Sequence, residues 1–156
     1  MQPQELTDHL DGLLAQKDDR RMKSLLSRLS AQEIAQSINR LEHGKRKTFA
    51  LLPPEVQAEV ALQLDDASKT YVISRISDNA LARLLHFNEE DDAADIVQFI
   101  DEKRRPSVLG HIKPDKRGKI EKLLMFDPET AGGLMDLNFL AVRSNLTMRE
   151  VAELAR

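Results

Sequence analysis

The residues best suited to chemistry in this chain are carboxylates, gathered in the run Asn88-Glu89-Glu90-Asp91-Asp92-Ala93-Ala94-Asp95. Placed on a helix at about 100° per residue, Ala93, Ile96, Val97 and Ile100 form one apolar stripe. Asp91 and Asp95 fall roughly opposite that stripe, with Glu102 beyond, so the reading expects them to project together on one exposed face. Carboxylates packed within two turns create a strong negative potential. Hard oxygen ligands of this kind suit Mg2+, which keeps most of its waters and takes only one or two carboxylates from a protein. A simpler account covers part of the run, because acids in the first turn of a helix are favoured by its macrodipole. That account explains Glu89 to Asp92 but not Asp95, which lies a turn further in. A second acidic pair, Glu55 and Glu59, stands one turn apart on the 54–64 segment, away from Val56, Val60 and Leu64. On the residues alone, these two are surface acids.

Other chemistries find no support. His9, His43, His86 and His111 are too far apart in the chain to pair on a helix, so a His-x-x-x-His metal site is missing. There are no cysteines, which removes disulfides, thiolate zinc sites and cysteine nucleophiles together. Gly132-Gly133 is too short for a phosphate-cradling loop, and no serine sits in a nucleophile elbow. The chain is not expected to be an enzyme.

Composition sets the class. The 156 residues are 41% hydrophobic and 31% charged, as in a globular protein with one core. No stretch approaches the roughly 20 consecutive apolar residues that span a bilayer, and the start Met1-Gln2-Pro3-Gln4-Glu5 lacks the basic and apolar regions of a secretory signal. The expectation is a chain that is cytoplasmic and does not itself insert into a membrane. Net charge is −3, unevenly spread: residues 53–100 hold ten acids against three bases, and residues 101–126 hold eight bases against four acids. The basic stretch (Lys103, Arg104, Arg105, Lys113, Lys116, Arg117, Lys119, Lys122) is too confined for the basic face of a nucleic-acid binder, so no nucleic-acid partner is expected.

The elements that must carry the acidic face are short helices. Apolar residues recur at helical spacing in bursts: Met22, Leu25, Leu26, Leu29; Ile34, Ala35, Ile38, Leu41; Val56, Val60, Leu64; Ala93, Ile96, Val97, Ile100. Each burst is shorter than the roughly 12–15 residues an isolated helix needs, so the helices must pack on one another. The bursts end at Leu29, Leu41, Leu52, Leu64, Ile76, Phe87, Ile100, Ile112 and Leu124, at steps of about 12 residues. Two steps make a repeat of about 24, the mark of stacked helix pairs. Start signals agree. Ser30 with Glu33 forms a capping box, Pro53-Pro54 and Pro114 suit first-turn positions, and Ser77 and Asn88 read as N-caps. With a leading helix near residues 4–16, the spacing predicts an all-α, right-handed-superhelix-like stack of about ten short helices over residues 1–126.

After Leu124 the pattern breaks. The run Asp127-Pro128-Glu129-Thr130-Ala131-Gly132-Gly133-Leu134-Met135 ends the helical period and predicts a linker over 127–138. Phe139-Leu140-Ala141-Val142 then reads as a strand, and Leu146 to Leu154 as a helix with Thr147 at its cap. One strand and one helix cannot bury their faces alone, so residues 139–156 are expected to begin a further domain.

Here the residues reach a resemblance. The Asp127-to-Met135 run resembles the segment that joins the N-terminal cytosolic domain of MgtE-type magnesium transporters to their pair of CBS domains. Phe139 to Leu154 resembles the opening strand and helix of a CBS domain. Leu52-Pro53-Pro54-Glu55 and Asp91-Asp92-Ala93-Ala94-Asp95 fit the same family. The resemblance implies a magnesium-sensing regulatory domain that gates ion transport by compacting against the CBS domains when Mg2+ is high. It implies Asp91 and Asp95 as Mg2+ ligands, with Glu59 contributing to a site shared with a neighbouring domain. It also implies a homodimer, with the CBS and transmembrane domains of the same full-length chain as partners, at the cytoplasmic face of the bacterial inner membrane. The alternative is a helical-repeat interaction scaffold similar to flagellar motor switch domains, for which the acidic face is only a docking or solubility feature.

Overall fold

The computed structural model describes residues 3–126 together with Arg149. Ten helices run through the described residues, with no strand among them: α1 Pro3–Gln16, α2 Asp19–Leu26, α3 Ala31–Arg40, α4 Lys45–Ala50, α5 Pro54–Gln63, α6 Asp66–Ile73, α7 Asp78–Phe87, α8 Glu90–Gln98, α9 Arg105–Gly110 and α10 Pro114–Leu123. The expected all-helical stack is what forms. The linker and the strand-helix segment expected over 127–156 lie outside the described residues.

Local chemistry places the boundaries. Ser30 Oγ accepts from the Glu33 amide at 3.3 Å while the Glu33 carboxylate accepts from the Ser30 amide at 2.9 Å, closing the capping box at the start of α3. Asp18, Asp65 and Ser77 cap α2, α6 and α7 in the simpler way, each accepting from a backbone N–H three residues on. Proline occupies the first turn of α5, α9 and α10, where no hydrogen bond is lost. Asn88 is not the cap expected of it. It closes α7, its side chain is buried, and its Nδ2 donates to the Ala58 carbonyl of α5 at 3.3 Å, while Glu89 takes the cap position of α8. Its Oδ1, the atom a cap would offer, is buried without a hydrogen-bond partner, so the contact across to α5 is the one this side chain makes.

Packing follows the repeat of two helices. α1, α3, α5, α7 and α9 form one row, each touching the next, while α4 meets α6 and α8 meets α10 in the other. One continuous core runs between the rows, with Leu10, Met22, Ile34, Ile38, Phe49, Ile73, Leu81, Leu84, Leu85 and Ile96 wholly buried. Every burst supplies residues to it, because a helix of two to three turns is stable only against its neighbours. Phe87 departs from expectation. It ends the α7 burst in the sequence yet is 48% exposed, because Leu84 and Leu85 already fill the core side of that turn.

Gly44 sets the entry to α4. It takes a left-handed φ of 76°, and a Cβ there would lie 2.6 and 2.8 Å from the two methyls of Leu14 on α1. Gly44→Ala is expected to destabilise the domain by about 1–2 kcal/mol, chiefly through the left-handed backbone, since Leu14 can rotate. Urea denaturation checks this, and an unchanged midpoint would refute it.

Candidate cation-binding face

The acidic run folds as the first two turns of α8. The stripe Ala93, Ile96, Val97 and Ile100 is buried as the spacing predicts, which pins the helix against α5, α7 and α10. Its carboxylates then have fixed places. Asp95 is exposed and Asp91 is half-buried, so the pair shares a face without both projecting freely. Asp91 sits closer to the packed side than a simple wheel suggests, because the N-terminal turn of α8 lies under α10. Glu102 is exposed but stands beyond the end of α8 at Gln98, and so does not extend the helical face.

The electrostatics show how crowded the cluster is. The Asp95 carboxyl is raised above the usual aspartate range, first by partial burial and then by the Asp91 charge, with Lys69 pulling the other way. The Asp92 carboxyl is also raised, by burial and then by Asp91, Asp95 and Glu89. Asp92 is therefore the member that reading the sequence passed over. Its signal is the three-residue spacing Glu89, Asp92, Asp95, which stacks three acids along one edge of the helix. The neighbouring acid Glu90 is drawn off elsewhere, its carboxylate receiving the Lys119 ammonium of α10 at 3.0 Å. Lys69 is buried on α6 with its ammonium 4.8 Å above the Phe99 ring. Glu59 is exposed on α5 and is not among the charges that shift Asp92 or Asp95. Asp92 thus feels Asp91, Asp95 and Glu89, and Asp95 feels Asp91.

Half of the basic stretch (Arg104, Arg105, Lys116 and Lys119) is consumed by the fold. Arg105 donates to the Ile100 and Gln98 carbonyls at 3.0 Å each, closing the C-terminus of α8. Lys116 donates to the His86 carbonyl at 3.1 Å and to the Asn88 carbonyl, closing α7. Arg104 binds Asp78 and the carbonyls at the end of α6. Cations at helix C-termini oppose the macrodipole and satisfy orphan carbonyls, so these side chains are structural, which a charge count does not reveal.

Chemically, the α8 face offers carboxylates but no enclosed site. Among the described residues no three His, Asp or Glu side chains converge as a metal cage. What exists is a set of aspartates held together against their repulsion, which fits a hydrated divalent cation taking one or two carboxylates from this side.

Three comparisons bear on this arrangement. Residues 29–129 match the family described as the MgtE intracellular N domain. The magnesium transporter MgtE of Thermus thermophilus is 27% identical over 158 residues, covering 98% of this chain and 35% of the relative, so the chain spans about a third of that protein. Among solved structures, the cytosolic domain of the Mg2+ channel MgtE in complex with ATP superposes with a TM-score of 0.77 at 25% identity, covering 95% of this chain and 61% of that one. The soluble part of a magnesium transporter gives 0.72 at 21% identity, covering 97% and 60%, and shows likeness of fold.

Proposed function

This chain belongs to the MgtE intracellular N domain family, and on that premise we propose that it is the cation-responsive regulatory domain of a magnesium transporter, not an enzyme. The observation that carries the reading is the crowded aspartate cluster of α8, in which Asp92 and Asp95 are held above their usual range by burial first and then by neighbouring carboxylates, Asp91 acting on both. Residues 1–126 are the sensing domain, 127–138 the linker and 139–156 the start of a CBS domain. The whole transporter is a multi-pass homodimer in the bacterial inner membrane, with this domain at its cytoplasmic face.

Asp91 and Asp95 would hold the cation from this side, with Asp92 beside them, and Glu59 would meet a second site toward a neighbouring domain. A bound divalent ion supplies the positive charge that the cluster lacks. The chain's own part is to present these carboxylates rigidly on a packed helix, so that their repulsion is felt by any acidic surface brought near. Without a counter-charge that repulsion holds the domain away from its CBS neighbour; with one, approach becomes favourable. The ion can shift the balance only by its differential affinity for the compact state.

Recording backbone amide shifts while the chain is titrated with MgCl2 tests the proposal. The expected result is saturable movement over residues 88–95 with half-saturation on the order of millimolar, lost in Asp91→Asn/Asp95→Asn. A longer chain that includes the CBS domains should bind on the order of tenfold more tightly. Silence in both chains sinks the sensor reading. A tight site in the short chain that survives the double substitution refutes the shared-site reading.

A further inference from the structure

Away from α8, three neighbouring clefts form a grooved face along the helix junctions. The first, of about 690 Å³, lies between the ends of α2 and α4 and the start of α5. It shares Ala50 and Leu52 with a second of about 270 Å³, which reaches α7. That in turn shares Pro54 and Arg83 with a third of about 370 Å³, bounded by α7, His111 and the start of α10. Because each cleft shares lining residues with the next, the three lie side by side along the helix junctions.

The lining is sorted by charge. Its floor is apolar, with Leu29, Leu52, Pro54, Ile76 and Ile112 along its length. Its fixed charges are Lys23, Arg83 and Lys113, all exposed, joined by the exposed His86 and His111 in the third cleft. Among the described residues no Asp or Glu lines any of the three, in a chain with 26 acids and a net charge of −3. The acids that dominate residues 53–100 are therefore kept out of this groove. Phe87, left exposed because Leu84 and Leu85 fill the core side of its turn, stands in the third cleft with its ring 5.5 Å from His86 and nearly edge-on. Exposed aromatics beside cations are what buried anchors and charge-assisted contacts require of an interface.

We propose that this groove docks an acidic amphipathic peptide segment, with apolar side chains on the floor and against Phe87, and carboxylates against Lys23, Arg83 and Lys113. The occupant is fixed by complementarity: an apolar floor selects an amphipathic segment, and an all-cationic rim selects carboxylates and rejects basic segments. Stacked helix pairs commonly present such extended surfaces to partners. The proposal is independent of the cation reading, since none of the α8 aspartates lines the groove.

The test is fluorescence anisotropy of the chain with a labelled peptide of about 15 residues, built from Leu and Glu at helical spacing. Two control peptides carry Lys in place of Glu, or Ser in place of Leu. Saturable binding of the acidic peptide alone is expected, weakened on the order of tenfold in Lys23→Glu/Arg83→Glu. Ala50→Glu, at an exposed position shared by two clefts, should weaken it similarly with thermal unfolding unchanged. Equal binding of the basic peptide, no saturable binding, or indifference to both variants would overturn the proposal. So would sedimentation showing that the groove mediates self-association that Ala50→Glu abolishes, since the occupant would then be a second copy of the chain.

Discussion

Arg104→Ala is expected to destabilise the domain by about 2–3 kcal/mol, a large effect for a residue outside the apolar core. Its guanidinium sits where three segments meet. Nη2 donates to the Ile76 carbonyl at 2.8 Å and to Asp78 Oδ1 at 2.6 Å, Nε donates to the same carboxylate oxygen at 3.0 Å, and Nη1 reaches the Ile73 and Ser74 carbonyls at 3.4 and 3.3 Å. One side chain therefore closes the C-terminus of α6, spans the turn into α7 and ties both to the start of α9. Its removal strands part-buried carbonyls, and that loss of solvation dominates the exposed part of the ion pair. Arg104→Lys should recover only part of the stability, because a point-charge ammonium cannot serve several acceptors at fixed angles. Acid narrows the gap between wild type and Arg104→Ala. The Asp78 carboxyl is held below the usual aspartate range by the Ser107 side chain first and by Arg104 next. Its stabilising contribution is therefore present above the unfolded value and lost as pH falls through the depressed folded one. The narrowing is partial, since the Arg104 bonds to the Ile73, Ser74 and Ile76 carbonyls do not titrate. Urea midpoints at neutral and acid pH measure this, and an Arg104→Ala midpoint equal to wild type would remove Arg104 from the fold's supports.

The residues that define the stack are legible in the sequence because helical periodicity and caps are local signals. Ser30 with Glu33, Ser77, Pro54 and Pro114 each start a helix using atoms within three residues, so no tertiary knowledge is needed. What stays hidden is set by partners about 30 residues away. Asn88 reads as a cap until α5 offers the Ala58 carbonyl. Glu90 reads as one more acid of the cluster until α10 brings Lys119 within 3.0 Å. Asp91 reads as fully exposed until α10 packs beside the turn that holds it. In each case the sequence supplies the group and the fold decides which neighbour claims it. The acidic face is legible as a face, but not as the subset Asp91, Asp92 and Asp95, because subtraction of Glu90 depends on a contact 29 residues distant.

Ile96→Ala is expected to lower stability by about 2–4 kcal/mol and Ile96→Val by about 1 kcal/mol. Ile96 is wholly buried in the stripe that anchors α8. α8 is only nine residues long and carries acids that repel one another, so it depends on that stripe more than a neutral helix would. The loss should therefore be local before it is global. Hydrogen exchange is expected to speed up most in α8 and α10, which pack together, and least in α1 to α3. Uniform acceleration along the chain would show that the stack unfolds as a single unit and would refute the nearest-neighbour account. The same variant connects packing to the cation reading. An ion that binds only the folded α8 adds RT ln(1 + [L]/Kd), about 1.4 kcal/mol at ten times Kd. MgCl2 should then restore protection to α8 in Ile96→Ala, and should fail to do so once Asp91→Asn/Asp95→Asn is added. Recovery that persists without those two carboxylates would place the ion's effect elsewhere on the molecule, and the aspartates of α8 would then be a solvated helix start.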